Sequence, residues 1–176
     1  LTADAGYGSE ENYQHLEDNQ IEGFVKYSSF DKQQSTNHYK KNPFATEHLH
    51  YNEQKDCYYC PMGQMMNCIG VYQKQTGTGF RQTIKKYRAQ NCDGCPLRGV
   101  CHDSKYNRVI EVNHNLKRHK AIAKEKLNSE EGIEKRKQRC CDVEPVFGNI
   151  KSNHKFNRFM LRGKRKVTIE IGLLAL

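Results

Sequence analysis

The sequence predicts an α/β fold that is interrupted by a small cysteine-rich insertion. Three observations predict it: residues 1–27 read as strand, helix and strand, residues 28–112 hold six of the eight cysteines, and helical patterns return at residues 113–176. These three ranges are the predicted core segment, insertion and helical C-terminal part.

The core segment begins with a short apolar stretch, LTAD, which predicts a strand. Ser9 is a helix-capping residue, and the acids Glu10 and Glu11 that follow it suit the first turn of a helix. The apolar, β-branched and aromatic run IEGFVKY at 21–27 predicts a second strand. Strand, helix and strand in succession are typical of α/β proteins.

The insertion shows little helical periodicity. Its stretch QTGTG at 75–79 is flanked by strand-like runs, which predicts a β-hairpin. Helices are predicted for NHNLKRHKAIAKEKL at 113–127 and for PVFGNIKSNHKFNRFMLRG at 145–163, the latter ended by Gly163. The apolar stretch VTIEIGLLAL at 167–176 fits either a buried strand or the start of a helix.

Positive charge is concentrated in two places. The chain carries 29 Lys and Arg against 20 Asp and Glu, a net charge of +9. Residues 145–168 contain no acid and seven basic residues: Lys151, Lys155, Arg158, Arg162, Lys164, Arg165 and Lys166. A second cluster comprises Lys117, Arg118, Lys120, Lys124 and Lys126. Such clusters favour binding of a polyanion, and the alternative is a solvated basic face.

No run of residues approaches the roughly 18 apolar residues of a membrane span, and residues 1–20 lack the pattern of a signal peptide. We therefore expect a cytoplasmic protein without a membrane partner. Disulfides are disfavoured in the cytosol, where closely spaced cysteines more often bind metal.

The spacing of the cysteines predicts a metal site. Cys92 and Cys95 form a CxxC pair, and Cys101 follows after five intervening residues. Cys60 is the expected fourth ligand because the residues after it, Pro61 and Gly63, predict a turn. Four thiolates suit Zn²⁺ first and a [4Fe–4S] cluster second, and the remaining alternative is a set of packed, reduced thiols. Cys57 competes with Cys60 as the fourth ligand. The other three cysteines receive no role: Cys68, Cys140 and Cys141.

Two acids are candidate ligands of Mg²⁺. Asp4 follows the first predicted strand, at the end where open α/β sheets place their sites. Glu144 precedes Pro145, which predicts a helix start or kink at this point. Taken singly, each acid has an ordinary structural explanation. Together on one face they would bind Mg²⁺ and leave positions for phosphate oxygens.

Four stretches, LTADAGYGSEENYQHLEDN, YYCPMGQ, NCDGCPLRGVC and VEPVFGNIKSNHKFNRFMLRG, resemble the C-terminal part of the DDE transposases of bacterial insertion sequences, in the group with a cysteine-bearing insertion. The resemblance covers nearly the whole chain. It implies a partial RNase H-like fold and a triad of Asp, Asp and Glu that binds two Mg²⁺ or Mn²⁺ ions. Such enzymes cut and rejoin double-stranded DNA at the transposon ends and the target, as homo-oligomers associated with the bacterial nucleoid.

The resemblance assigns roles residue by residue. Asp4 matches the second catalytic Asp, Glu144 matches the Glu, and Lys151, after six intervening residues, matches a Lys that contacts the DNA end. Arg139 matches an Arg upstream of the Glu, but Arg136 replaces the Tyr expected three residues before it. A basic helix at 147–162 would present DNA contacts on one face: Lys151, Lys155, Arg158 and Arg162.

The first catalytic Asp of the family belongs to a strand upstream of the one that carries Asp4. We therefore expect the chain to be a C-terminal fragment that is inactive alone. Two other functions stay open, a non-catalytic metal-bound nucleic-acid-binding module and an inactive transposon remnant.

Overall fold

The computed structural model describes residues 1–35, 37, 43–156 and 158–174. By its internal contacts the chain divides into two compact units, one comprising Leu1 and residues 3–125 and the other comprising Thr2 and residues 126–176. The fold is mixed α/β, as predicted. Its RNase H-like part and the boundaries of the insertion stay predictions.

The chain begins with strand β1 (Thr2–Ala3), helix α1 (Glu10–Asp18) and strand β2 (Phe24–Val25). β1 and β2 form a two-stranded sheet. In it the Phe24 amide donates to the Leu1 carbonyl at 2.7 Å. The succession of strand, helix and strand predicted for the first 27 residues is therefore confirmed. A short helix, α2 (Phe30–Gln33), follows.

A five-stranded antiparallel sheet occupies much of the range predicted as the insertion. Its strands are adjacent in chain order: β3 (Tyr51–Asn52), β4 (Cys57–Tyr59), β5 (Met65–Gln75), β6 (Arg81–Ala89) and β7 (Val109–Val112). β5 and β6 form the predicted hairpin, paired from Met66 opposite Ala89 to Gln75 opposite Arg81. Gly79 closes the turn with a φ of 90°, a conformation that glycine adopts without strain.

One face of this sheet is buried. Tyr87 and Ala89 flank an exposed residue along β6, and Ile110 and Val112 do so along β7. A period of two arises because successive side chains of a strand point to opposite faces. The buried residues form one core cluster: Leu49, Tyr58, Met66, Tyr87, Ala89, Cys92, Ile110 and Val112.

A polar network lies beside this core. Asp56 accepts hydrogen bonds from the Tyr87 hydroxyl at 2.6 Å, the Tyr51 hydroxyl at 2.8 Å and the Lys85 ammonium at 2.7 Å. The Tyr87 hydroxyl also lies 2.7 Å from His114 Nε2. Hydrogen bonds from Lys85 and Tyr87 lower the pKa of Asp56 to about 2, whereas burial lowers the pKa of His114 below its ordinary value.

Replacing Asp56 by Asn should destabilise the protein at neutral pH by about 1–2 kcal/mol, because Tyr87 and Lys85 lose a charged acceptor. The pKa of this carboxyl is about 2 in the folded chain against an ordinary value of 3.8, so its contribution is present above pH 4 and is lost as the pH falls towards 2. Because the Asp56 side chain is 41% exposed, we expect this pH-dependent part of the free energy of unfolding to be only about 1 kcal/mol. Denaturant unfolding should show a steeper loss of stability between pH 4 and 2 in the wild type than in the variant.

Asp31→Asn is the matched control, since Asp31 pairs with Lys26 at 3.0 Å but its side chain is 68% exposed. This variant should change stability little at any pH. Equal pH dependence in the wild type and in the Asp56 variant would contradict the role of the network.

Three α-helices lie in the described chain after β7: α3 (His114–Asn128), α4 (Glu130–Gly148) and α5 (Lys164–Leu174). α3 confirms the helix predicted at 113–127, and the Asn113 side-chain oxygen caps it by accepting from the Leu116 amide at 2.8 Å. The stretch from residue 167, for which the sequence fits either a strand or a helix, is helical because it lies in α5. Its apolar residues are exposed rather than buried: Ile169, Ile171 and Leu173. Residues 175 and 176 lie outside the described part.

The single helix predicted at 145–163 is wrong. α4 begins instead at Glu130, after Ser129, whose hydroxyl accepts from the Gly132 amide at 3.1 Å. A π-helix follows over Asn149–Asn153, and regular helix then stops. Gly163 does have a positive φ, 88°, but it precedes α5 instead of ending a helix.

The helix stops because Lys155 adopts a left-handed φ of 51°. The Phe156 amide then turns back and donates to the Ile150 carbonyl at 3.1 Å, in the way that a left-handed residue closes a helix C-terminus. The stretch is rich in Asn and Ser, whose side chains can compete with helical backbone bonds. Within it, the side-chain amide of Asn153 donates to the side-chain oxygen of Asn149 at 2.5 Å.

Candidate functional site

Asp4 stands where the sequence places it, immediately after β1. It is exposed, and its carbonyl accepts from the Tyr7 amide at 3.0 Å to start a short 3₁₀ helix, Ala5–Tyr7. Gly8 ends this turn, and a Cβ there would collide with the carbonyl oxygen of Lys26 beside β2. The close backbone approach thus requires glycine and fixes the path of the chain after the acid.

Two contacts hold α1, the helix that follows Asp4, against the start of α3. Glu10 is buried and accepts from the side-chain amides of Asn113 at 2.5 Å and Asn115 at 2.9 Å. Arg118 donates two parallel hydrogen bonds to Glu17, at 2.8 and 2.7 Å, which lowers the pKa of Glu17. The sequence indicates Glu10 only as a helix-start residue. Its contacts with Asn113 and Asn115 have no local sequence signal, because both partners lie more than 100 residues further along the chain.

Glu144 lies inside α4, and Pro145 is an interior residue of the same helix. Of the two alternatives predicted at this acid, the helix start is wrong because α4 begins at Glu130, and the kink stays a prediction. The Glu144 side chain is outside the described part, and Asp4 and Glu144 belong to different compact units. Their joint role as metal ligands stays a prediction.

The predicted DNA contacts of the second unit do not share one helix. Arg139 is in α4, Lys151 is in the π-helix, and Lys155 occupies the left-handed position after it. Arg158 and Arg162 lie beyond regular helix and are exposed. Lys151, Lys155, Arg158 and Arg162, predicted to share one face of a helix at 147–162, therefore do not form a continuous cationic helix face.

A groove in the first unit presents a second set of basic residues. Lys117, Lys120 and Lys124 lie on one side of α3, at the i, i+3 and i+7 spacing that aligns helical side chains. They line a groove of about 610 Å³ together with Lys74 of β5 and several tyrosines. Lysine predominates among the charged residues of the groove, although two acids also line it: Glu47 and Glu111.

Two lysines of the groove lie over aromatic rings. The Lys117 ammonium is 5.4 Å from the Tyr51 ring centre and 5.3 Å from that of Tyr58, and the Lys120 ammonium is 5.6 Å from that of Tyr27. Cation–π contacts of this kind hold a charge in place without neutralising it. The groove therefore offers ordered positive charge to an anionic ligand.

The structure brings all four predicted cysteine ligands to one place. Cys60, Cys92, Cys95 and Cys101 line a cavity of about 20 Å³. Cys60 lies at the predicted turn, where the Gly63 amide donates to its carbonyl at 2.8 Å and Gly63 has a φ of 78°. The selection of Cys60 over its competitor in β4 agrees with this cavity, because Cys57 is not among the described residues that line it.

Local turns place the other three sulfurs. The Cys95 amide donates to the Cys92 carbonyl at 3.4 Å, and the Cys101 amide donates to the Leu97 carbonyl at 2.8 Å. His102 also lines the cavity, and burial together with two nearby arginines lowers its pKa. Among the described residues, no group of three or more Cys, His, Asp or Glu stands at metal-binding spacing.

The remaining described cysteines lie elsewhere. Cys57 is buried in β4, whereas Cys68 of β5 and Cys141 of α4 are exposed. The side chain of Cys140 is outside the described part. In the part of the chain that the structure describes, no helix is long and apolar enough to cross a membrane.

Comparison with curated proteins gave no match, and comparison with solved structures gave none either. A family model described as transposase DDE domain matches residues 59–176, well over half of the chain. The matched range includes Glu144 and the four cysteines of the cavity but not Asp4. The chain belongs to the transposase DDE domain family.

Proposed function

We propose that this chain acts in DNA transposition, through metal-dependent cleavage and strand transfer of transposon ends. The observation that carries the proposal is the family match over residues 59–176. The net charge of +9 and the lysine-lined groove support a DNA substrate, because neutralised phosphates supply much of the affinity of proteins for DNA. The resemblance implies assembly of several copies, and we propose a homo-oligomer for this chain as well.

Asp4 and Glu144 are the proposed ligands of Mg²⁺ or Mn²⁺. Carboxylates suit these hard cations, and Asp4 meets one further requirement because it is exposed at the end of β1, where a phosphate can approach. The bound ions would activate the attacking oxygen and stabilise the leaving one. Both acids would hold the ions, and neither would carry a proton.

The basic residues of the two units are proposed to contact the DNA backbone. In the first unit these are the groove lysines, Lys117, Lys120 and Lys124. In the second unit they are Arg139, Lys151, Lys155, Arg158 and Arg162. Phosphate contacts of this kind position DNA and carry little sequence information.

A second metal is proposed at the four cysteines of the cavity, Cys60, Cys92, Cys95 and Cys101. Zn²⁺ is the first candidate and a [4Fe–4S] cluster the second. Its role would be to order the chain around the cavity, away from the chemistry on DNA.

A transposition assay tests the function. The complete open reading frame that encodes the chain and a marked element with its transposon ends are supplied on separate plasmids, and insertions into a third plasmid are counted. We expect insertions that depend on the gene, and purified protein that binds DNA with an affinity falling steeply as salt rises. DNA binding without any transposition would favour the alternative, a non-catalytic nucleic-acid-binding module that the cysteines and the positive charge support equally well.

In the same assay Asp4→Ala separates the two functions. A transposase loses insertions and keeps DNA affinity, whereas a binding module has no activity to lose. Gly6→Ala is a suitable control nearby, because a Cβ at Gly6 meets no atom within 4 Å.

A further inference from the structure

Arg108 is a buried cation at the edge of the cysteine cavity. It directly precedes β7, and only 7% of its surface is exposed. One guanidinium nitrogen, Nη1, donates to Cys101 Sγ at 2.9 Å, and the other, Nη2, donates to the Phe44 carbonyl. Within the described ranges no carboxylate lies within 4.0 Å of Arg108.

A buried guanidinium with no carboxylate among its described neighbours requires another source of negative charge, since an unpaired buried ion is strongly disfavoured. The partners around Arg108 include sulfurs. Besides the contact with Cys101, its backbone amide donates to Cys92 Sγ at 3.4 Å. A single residue therefore directs two N–H groups at two of the four cysteines, an arrangement that suits thiolates.

We propose that Cys60, Cys92, Cys95 and Cys101 bind one Zn²⁺ as thiolates and that Arg108 is the positioning residue that compensates the negative charge of this centre. This role of Arg108 rests on one part of the proposed function, namely that the four cysteines bind a metal. It does not depend on the catalytic acids.

The size and lining of the cavity support an ion. Its volume of about 20 Å³ is close to the minimum that holds a single small occupant. Its lining supplies four thiols and one imidazole, a donor set that suits Zn²⁺, although no three of these groups stand at metal-binding spacing in the described chain.

The chain around the cavity supports a structural role. Residues 90–108, all of them described, contain no strand or helix, although they connect the core strands β6 and β7. Val100 and Tyr106 in this segment are 71% and 75% exposed. A segment with so little apolar burial needs another source of order. A zinc centre would link it to the Cys60 turn, because the free energy of metal binding contributes directly to folding.

The first experiment measures metal in the purified full chain after expression in zinc-supplemented medium. We expect about one zinc per chain by mass spectrometry, and X-ray absorption should show four sulfur neighbours at about 2.3 Å. Cys95→Ser should lose the zinc, while Cys68→Ser, on an exposed strand position, should retain it. A metal-free wild type, or one with the absorption of an iron–sulfur cluster, would overturn the assignment.

Loss of zinc in Cys95→Ser has a trivial explanation if that variant does not fold. Stepwise removal of metal from the wild type with a chelator tests the role of zinc without any substitution. The zinc-bound chain should have a higher Tm than the stripped chain, and added zinc should restore it. Unchanged Tm on removal and return of the metal would overturn the structural role.

The second experiment tests Arg108 through its effect on the metal. Arg108→Met should weaken zinc binding by about 10-fold or more in a competition titration, and Arg108→Lys should recover part of the loss. Arg88→Met, at an exposed position of β6, is the control and should bind zinc like the wild type. A residue with only a packing role would lower the Tm of Arg108→Met and leave its zinc affinity unchanged.

These outcomes are distinguishable from failure of the transposase proposal. Zinc content and DNA cleavage are measured separately, so a chain that binds zinc and never transposes DNA would refute only the catalytic proposal.

Discussion

Replacing Glu144 by Gln is expected to lower transposition at least about 1,000-fold, with DNA binding unchanged. The amide keeps the shape of the side chain but lacks the charge that, in the proposed function, would hold Mg²⁺. A loss of this size corresponds to about 4 kcal/mol of transition-state stabilisation, which is within the range attributed to a catalytic metal. Insertions are counted in cells, and DNA affinity is measured on the purified protein.

Glu134→Gln on the same helix provides the control, because Glu134 is an exposed residue of α4. It removes the same charge from the same element and should leave transposition unchanged. Asp4→Asn should reproduce the loss seen for Glu144→Gln. An active Glu144 variant, or equal losses in both glutamate variants, would show that this carboxylate does not bind the catalytic metal.

Replacing Met66 by Ala is expected to destabilise the chain by about 3 kcal/mol. Met66 is fully buried in the core cluster, at 0% exposure, on the strand that pairs with both β4 and β6. Truncating it removes apolar contacts and leaves a cavity, and such changes cost about 2–5 kcal/mol. Because domains are stable by only about 5–15 kcal/mol, the variant should unfold at a clearly lower denaturant concentration.

Met62→Ala is the matched control, since the same side chain at position 62 is 49% exposed in the turn after Cys60. Its unfolding midpoint should remain close to that of the wild type. A similar midpoint for both variants would mean that the sheet core contributes much less to stability than its burial implies.

Local chemistry determines the parts of the fold that the sequence predicts correctly. The hairpin at 75–79 follows from Gly-rich turn chemistry between two strand-like runs, and α3 begins at the Asn113 cap. The shared cavity of the four cysteines is also predictable, because three of them, Cys92, Cys95 and Cys101, lie in one short loop. The fourth, Cys60, follows from its turn residues.

The rest depends on contacts that have no local signature. The bond between Glu10 and Asn113 joins residues 103 positions apart, and the pairing of Asp56 with its partners on β6 requires the sheet to exist first. The helix predicted at 145–163 is misplaced for a different reason. Pro145 predicts a helix start, but the capping residue Ser129 begins α4 well before it, and the proline is accommodated in the helix interior.

The long hairpin of β5 and β6 has a consequence for the order of folding. Its two strands are joined by a short connection, residues 76–80, so their pairing closes a small loop at little entropic cost. Hairpins form in roughly 1–10 μs. The contacts of α1 with α3 join distant parts of the chain and must form later, because the entropy of closing a long loop is lost before those contacts compensate it. The segment that carries Asp4 into α1 should therefore take its final place against α3 after the hairpin that carries Met66 has paired.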